Sequence, residues 1–199
     1  MEIDLSKIKP DVRHLDDVKT VLLDQNWAAS AENSDLYFMY RGIEENNGIR
    51  YDITVVPTKM LGEEFVKTKG HYHIGTYGEV YTVLEGQAIY LMQKKKEGSE
   101  DEIEDVYAVQ CQKGDVVVIR SNYGHITINP SENTNLKMAN WVASACKSDY
   151  SLFEKLQGAC WYYTKTGWVK NEHYKNVPVL RFEEPLKEVP QNLDFLKAN

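Results

Sequence analysis

The hydrophobic pattern of the chain changes near residue 35. Before that point, four apolar residues fall at relative positions 0, 3, 6 and 7 within segment 14–24, namely Leu15, Val18, Val21 and Leu22. Asp16 and Asp17 stand early in this segment, where a helix dipole favours negative charge. The segment therefore predicts one amphipathic α-helix, and we expect an N-terminal helical extension over 1–35.

After this point the chain consists of short runs rich in Val, Ile, Tyr and Thr, separated by turn-forming residues. The runs predict strands over 36–40, 50–57, 80–84, 88–93, 106–112, 116–120, 125–128 and 136–142. So many short strands at regular spacing predict an all-β barrel or sandwich of the jelly-roll kind. We expect a single barrel domain over 36–185 and a C-terminal tail over 186–199.

Three further segments complete the predicted organisation. The acidic segment 97–105 lacks apolar periodicity and predicts a solvated loop between two strands. Segment 149–156 predicts a second short helix, with Ser148 as its N-cap and Gly158 as its stop. A Lys-Thr-Gly turn near residue 166 predicts a last hairpin between the runs 159–164 and 168–170.

Composition excludes several classes of function. Asp and Glu number 30 against 23 Lys and Arg, a net charge of −7, whereas a nucleic-acid binder needs the opposite balance. No run approaches the roughly 18 apolar residues of a membrane helix, and the chain begins acidic where a signal peptide begins basic. We therefore expect a cytoplasmic protein without nucleic-acid or membrane partners. Cys111, Cys146 and Cys160 form no Cys-x-x-Cys pair, so reduced and mostly buried thiols are expected.

The chemistry of the chain concentrates around three of its five histidines. His71 and His73 stand two residues apart, Glu79 follows six residues later, and His125 comes after a gap. Alternate residues of a strand share one face, so the first two imidazoles lie side by side. Neutral imidazoles with one carboxylate and no thiolate suit a divalent transition metal that keeps open coordination positions. The two remaining histidines lack such partners and are assigned no role.

This spacing resembles the two motifs of the cupin superfamily. The positions that match are Gly86, seven residues after the Glu of the first motif, and Gly114, His125 and Asn129 in the second. Arg120 and Asn122 replace a proline and a glycine of the second motif. The resemblance implies a double-stranded β-helix barrel whose metal ligands are His71, His73, Glu79 and His125. Fe2+ is the metal favoured by the resemblance, and Mn2+, Ni2+ or Zn2+ also suit such ligands.

A longer stretch, about 51–178, is similar to the cupin-type glucose-6-phosphate isomerases. The strings that carry this similarity are Thr-Lys-Gly-His-Tyr-His and Glu-Val-Tyr, which contain three of the metal ligands. The resemblance implies that Thr54, Thr68 and Gly70 bind a sugar phosphate, and their hydroxyls and backbone N–H are suitable donors to phosphate oxygens. Lys69 is a less favoured phosphate contact, because strand alternation points its side chain away from those of Thr68 and Gly70.

Two departures from that family concern the substrate pocket. Trp141 stands where the family carries a phosphate-contacting tyrosine, and a later histidine of the family pocket has no counterpart near 148–150. Trp141 is expected equally as a substrate contact or as a core aromatic.

The resemblance implies interconversion of glucose-6-phosphate and fructose-6-phosphate, a step of glycolysis and gluconeogenesis, through a metal-stabilised enediolate. Glu79 is the expected proton carrier, and Tyr81, on the same side of the strand, orients it or serves a hydroxyl proton. A hydride shift between the two carbons would need no base and stays open.

Two other function classes remain open. The same ligands serve an Fe(II) dioxygenase, and a non-catalytic sugar-binding cupin is a third interpretation. The phosphate donors favour the isomerase, because they would have no task with an uncharged substrate. The apolar segment 36–40 is suited to an edge strand that pairs with a second copy, so we expect a homodimer.

Overall fold

The computed structural model describes residues 3–197, and most of its regular structure is β-strand. The strands are β1 (Asp11–His14), β2 (Asp35–Asn46), β3 (Ile49–Val56), β4 (Met60–Leu61), β5 (Glu64–Phe65), β6 (Tyr72–Ile74), β7 (Glu79–Glu85), β8 (Gln87–Lys95), β9 (Ile103–Gln112), β10 (Val116–Ile119), β11 (Tyr123–Ile128), β12 (Leu136–Ala143), β13 (Lys147–Asp149), β14 (Trp161–Thr164), β15 (Gly167–Lys170) and β16 (Arg181–Glu183). Two short α-helices accompany them, α1 (Gln25–Ser30) and α2 (Ser151–Lys155). The all-β fold class is confirmed.

Two sheets form the body of the molecule. The larger has six strands in the order β1-β2-β3-β12-β7-β10, and the smaller has the order β11-β8-β9-β16. All pairs in the larger sheet are antiparallel, whereas β16 joins β9 in parallel. One core cluster takes buried residues from both sheets, so their inner faces pack on each other. Strands distant in sequence, such as β3 and β12, therefore become neighbours around one interior.

The eight predicted strands correspond to β2, β3 and β7–β12, and the predicted last hairpin is β14 with β15. The β2–β3 turn has positive φ at Asn47 (52°) and Gly48 (73°), as a two-residue type I′ hairpin requires. The acidic loop ends earlier than expected, because Ile103 already opens β9 and pairs with Lys95 of β8.

The predicted N-terminal helix is wrong in type. Segment 14–24 contains two 3-10 turns, Leu15–Asp17 and Lys19–Val21, and the short helix α1 follows them. Leu15, Val18 and Val21 recur every three residues, which is the period of a 3-10 helix, so the turns bury all three side chains on one side. No helix in the described part of the chain is long and apolar enough to cross a membrane.

Helix α2 is shorter than predicted and has a different start. Asp149 accepts hydrogen bonds from the backbone N–H of Ser151 at 3.0 Å and from its hydroxyl at 2.6 Å, so Ser148 is not the cap. The predicted stop is correct, since the Gly158 N–H donates to the Phe153 carbonyl at 2.7 Å.

Both terminal segments pack on the barrel. Strand β1 pairs with β2, whose other side pairs with β3. The expectation that 36–40 forms a free edge is therefore wrong. At the other end, Leu196 is buried against Val80 and Val116. The domain boundaries at 35 and 185 stay predictions.

Candidate metal centre

Three imidazoles meet where His71 and the adjoining strand β6 lie opposite strand β11. His71 and His125 lie opposite each other, because each donates its backbone N–H to the carbonyl of the other, at 3.3 and 3.0 Å. His73 lies two residues further along β6, and its ring centroid is 5.2 Å from that of His71 and 5.3 Å from that of His125. The strand alternation that the sequence suggested thus brings the three rings to one side.

Glu79 reaches the imidazoles from the opposite sheet, as the first residue of β7. Its Oε2 lies 3.3 Å from Nε2 of His73 and 3.3 Å from Nε2 of His125. One potential ligand atom from each of the four side chains lies within 4.8 Å of all the others. The structure therefore assembles the four sequence-predicted ligands into one cluster.

The cluster leaves buried polar atoms without partners. Among the described residues, Glu79 Oε2 and both ring nitrogens of His125 are buried and accept or donate no hydrogen bond. The 3.3 Å contacts bring these atoms close but lack hydrogen-bond alignment. Unpaired buried polar atoms are costly, at about 1–3 kcal/mol each, whereas a shared cation would satisfy them together. The donor set of three imidazoles and one carboxylate therefore fits a divalent transition metal.

Neighbouring groups fix the orientation of two ligands. Asn140 donates from Nδ2 to Glu79 Oε1 at 2.7 Å, so only Oε2 faces the imidazoles. The Tyr77 carbonyl lies 3.1 Å from His73 Nδ1 and can only accept, which assigns a proton to Nδ1. Such outer contacts hold a metal ligand in place and set its tautomer. Sequence reasoning missed Asn140, which lies outside both histidine motifs.

Burial and charge set the protonation of the cluster. Burial lowers the pKa of His71 well below its usual value, so this ring is neutral. Burial raises the pKa of Glu79, but contacts with His125 and His73 outweigh it and hold this pKa well below the usual value. Burial lowers the pKa of His73, yet contacts with Cys146 and Glu79 outweigh it and raise the pKa to about 10. A metal ion that binds here therefore displaces a proton from His73.

Tyr81 lies beside the cluster, two residues after Glu79. Its ring centroid is 6.0 Å from that of His125. Burial, and then the negative charge of Glu79, raise the pKa of Tyr81 well above its usual value. The hydroxyl thus keeps its proton and is a hydrogen-bond donor.

The cluster of three imidazoles and Glu79 opens into a cavity of about 700 Å³, including the part open to solvent. Thr54, Thr68 and Gly70 line the same cavity. The Thr68 hydroxyl oxygen accepts from the Thr127 N–H at 2.9 Å, which leaves its own O–H free to donate. All three residues suggested for phosphate are thus in one cavity with the proposed ligands.

The structure places Lys69 in the cavity and Trp141 outside it. Lys69 lines the cavity, because 68–70 is irregular and the positive φ of Gly70 (83°) breaks the alternation of a strand. Trp141 does not line the cavity: its ring centroid lies 4.4 Å from that of Tyr51. Its strand neighbours Asn140 and Val142 line the cavity, so the residue between them points away.

The cysteines are free in the described structure, as expected, and two of them are buried. Cys146 is only partly buried and lines the cavity. Sequence reasoning gave it no place in the site.

The cavity also contains charged side chains that sequence reasoning missed. They are Arg13 of β1, Arg41 of β2, and Arg50 and Asp52 of β3. Strand alternation from Thr54 back to 52 and 50 was a usable signal for the last two. Arg13 and Arg41 depend on the pairing of β1 with β2 and of β2 with β3, which no local pattern indicates.

Comparison with known proteins identifies the family. A model of the glucose-6-phosphate isomerase family matches residues 12–179 of the 199-residue chain. The chain belongs to this family. The prediction of an enzyme of the glucose-6-phosphate isomerase family is thereby confirmed.

Relatives in the glucose-6-phosphate isomerase family match this chain at low sequence identity but over most of its length. The glucose-6-phosphate isomerase of Thermococcus litoralis is 29% identical over 157 residues, which is 76% of this chain and 79% of that protein. The enzyme of the same name from Pyrococcus furiosus is 28% identical over 153 residues, 74% of this chain and 77% of that protein. A crystal structure of a predicted oxalate decarboxylase from Thermotoga maritima covers 71% of this chain and 96% of its own, at 17% identity and a TM-score of 0.43.

Proposed function

We propose that this chain interconverts glucose-6-phosphate and fructose-6-phosphate in a metal-dependent aldose–ketose isomerisation. One observation carries the proposal: three imidazoles and one carboxylate converge in the same cavity as Thr54, Thr68 and Gly70. Membership of the glucose-6-phosphate isomerase family supports both the reaction and the substrate. The unpaired buried atoms of Glu79 and His125 support the metal requirement.

The metal ligands in this proposal are His71, His73, Glu79 and His125. A divalent metal held by them, with Fe2+ as the first choice and Mn2+, Ni2+ or Zn2+ as alternatives, would supply Lewis acidity to the oxygens of the substrate's reacting carbons. The neighbouring residues keep the four side chains in place. Asn140 restrains the carboxylate and Tyr77 restrains one ring, so little reorganisation is needed when substrate arrives.

The phosphate end of the substrate is assigned to Thr54, Thr68 and the backbone of Gly70. A phosphate anchored there holds the reacting carbons at a fixed distance from the four metal-ligand side chains. Binding energy at the phosphate is thereby used to orient the substrate. Gly70 leaves no room for a side chain, because a Cβ would lie 2.4 Å from Ile126 Cγ2. The backbone can therefore keep this path only with glycine at position 70.

Proton transfer is assigned to Glu79 and Tyr81. Glu79 is anionic, and Asn140 holds its Oε1, so Oε2 would serve both roles: it would hold the metal and, as a ligand or after release when substrate arrives, carry a proton between C1 and C2. The Tyr81 hydroxyl keeps its proton and donates a hydrogen bond to a substrate oxygen as negative charge develops there.

A coupled assay that converts fructose-6-phosphate to glucose-6-phosphate tests the proposal. Metal-loaded wild type should be active, and the His71→Ala/His73→Ala double variant should lose both metal and activity. If no isomerisation occurs but oxygen is consumed with another chelating substrate, the dioxygenase interpretation replaces this one.

The phosphate assignment has its own test. Thr68→Val removes a donor that binds substrate and transition state alike, so KM should rise more than kcat falls. Thr164→Val is the matched control, because the Thr164 hydroxyl is also hydrogen-bonded but lies in the protein interior outside the cavity. Equal kinetic effects of the two variants would refute the assignment.

We also propose a homodimer. The six-stranded sheet ends at β1, whose outer side has no partner strand in the described chain, and such edges are commonly covered. Sedimentation at micromolar concentration should give twice the chain mass, and a monomer would contradict the proposal. The cytoplasmic location stays a prediction.

A further inference from the structure

The cationic side chains that line the cavity differ in how their charge is neutralised. Arg41 Nε lies 3.2 Å from Asp11 Oδ2, and Arg50 Nε lies 2.9 Å from Asp52 Oδ2. The charge of Arg50 is therefore balanced by a buried carboxylate, whereas the Arg41 side chain is 40% exposed and its charge is balanced by water as well as by Asp11.

Arg13 has no such partner. Within residues 3–197 it forms no ion pair, and its Nε is buried without a hydrogen bond. Its side chain is half-buried, lines the cavity and contacts the neutral hydroxyl of Tyr37. A half-buried cation whose hydrogen-bond partner is a neutral hydroxyl keeps its full positive charge, so a cavity that contains one is suited to an anionic ligand.

The position of Arg13 relates it to the proposed phosphate residues. Its Cζ lies 5.7 Å from the ring centroid of Tyr150, and Lys69 Nζ lies 5.3 Å from the same centroid. Arg13 is also the β-ladder partner of Tyr37, whose hydroxyl accepts from the Lys69 backbone N–H at 3.2 Å. Two cations therefore flank the same pair of tyrosines, next to the segment that contains Thr68.

Lys69 is only partly neutralised. Its Nζ lies 2.5 Å from Glu154 Oε1, but the Glu154 side chain is 44% exposed whereas that of Lys69 is 12% exposed. An exposed carboxylate can turn to water when an anion arrives, because an ion pair with it is worth little. Lys69 thus remains available as a second cation.

We propose that Arg13 is a specificity-determining residue, which binds the substrate's phosphate together with Lys69 and so selects a dianionic phosphate over an uncharged sugar. This inference rests on the proposed function. A guanidinium presents two N–H groups to two phosphate oxygens, whereas the neutral threonine donors add no charge. The N-terminal strand β1 then forms part of the substrate site and is not only a cover for the barrel.

The test uses Arg13→Gln and Arg13→Lys in metal-loaded protein, with Arg120→Gln as the control. Arg120 is exposed and outside the cavity, so this variant changes the net charge equally. Loss of a charge-assisted bond should raise KM for fructose-6-phosphate about 10- to 100-fold and leave kcat within about threefold, because substrate and transition state lose it together. Arg13→Lys should fall between wild type and Arg13→Gln.

Two further measurements separate phosphate binding from a general structural effect. Turnover of unphosphorylated fructose should be the same in wild type and Arg13→Gln, so the preference for fructose-6-phosphate should fall. Calorimetric titration with inorganic phosphate should show a dissociation constant weakened about 10- to 100-fold in Arg13→Gln only. A wild-type KM and wild-type phosphate affinity in folded Arg13→Gln would overturn the inference.

The outcome also distinguishes this inference from the proposed function. Wild type that binds inorganic phosphate through Arg13 but does not isomerise fructose-6-phosphate would overturn the isomerase and retain the anion site. If wild type isomerises fructose-6-phosphate and Arg13→Gln has wild-type kinetics and phosphate affinity, the isomerase function is retained and the role of Arg13 is overturned.

Discussion

Replacing Asn140 with leucine tests whether the metal ligands are held by their surroundings. The Asn140 side chain donates to Glu79 Oε1 at 2.7 Å, and both residues are buried. Leucine has a similar size but no donor, so the change removes one hydrogen bond to a charged oxygen without opening a large cavity. Glu79 then has an unpaired Oε1 and can rotate away from the imidazoles.

The expected magnitude follows from this contact. A hydrogen bond to a charged group contributes about 1.5–3 kcal/mol, and one decade in a binding constant corresponds to about 1.4 kcal/mol. Metal affinity should therefore fall about 10- to 100-fold, which agrees with the usual effect of losing an outer contact of a metal ligand.

A competition titration of Zn2+ against a chromophoric chelator measures this effect directly. Asn129→Leu is the matched control, because Asn129 is also buried and donates through Nδ2, to the carbonyls of Val56 and Thr134 at 3.0 and 3.1 Å. Both variants should lower the melting temperature, and only Asn140→Leu should weaken metal binding. Folded Asn140→Leu with wild-type Zn2+ affinity would refute the idea that Asn140 positions Glu79.

Three other variants test separate parts of the molecule. Glu79→Gln, with its metal verified by elemental analysis, should lose most isomerase turnover because an amide accepts no proton; near wild-type turnover would favour a hydride shift. Gly70→Ala should cost about 2–5 kcal/mol in denaturant unfolding, because its Cβ would clash with Ile126 in a positive-φ backbone, and unchanged stability would show that the backbone can relax. Lys67→Met should cost about 3–5 kcal/mol near neutral pH, because it leaves the buried Glu64 carboxylate unpaired. Burial raises the pKa of Glu64, so this loss should shrink as pH falls and the carboxyl takes up a proton, and a pH-independent loss would contradict this explanation.

Local sequence patterns explain the features that were predicted correctly. Strands β2, β3 and β7–β12 follow from runs of β-branched and aromatic residues bounded by turns, since both signals act within a few residues. The convergence of the candidate metal ligands was predictable because His71 and His73 share a strand face and Glu79 begins the next long strand.

The remaining errors have specific physical causes. Leu15, Val18 and Val21 fit an α-helix and a 3-10 turn equally well, because a spacing of three belongs to both. Lys69 reaches the cavity because Gly70 leaves the strand conformation. Trp141, for which two roles stayed open, points away from the cavity because the adjacent Asn140 faces it.

Residues that depend on distant pairing were not predictable. Arg13 reaches the cavity only because β1 pairs with β2, and Asn140 reaches Glu79 only because β12 lies between β3 and β7. These pairings join parts of the chain that are far apart in sequence, and a single sequence contains no local signal for them.

The central claim, a metal-dependent glucose-6-phosphate isomerase, is tested most directly by removing and restoring the metal. Protein stripped with a chelator should lose conversion of fructose-6-phosphate to glucose-6-phosphate, and Fe2+ added under anaerobic conditions should restore the activity as one metal ion binds per chain. Stripped protein that isomerises at the rate of the reloaded protein, or reloaded protein that does not isomerise at all, would contradict the claim.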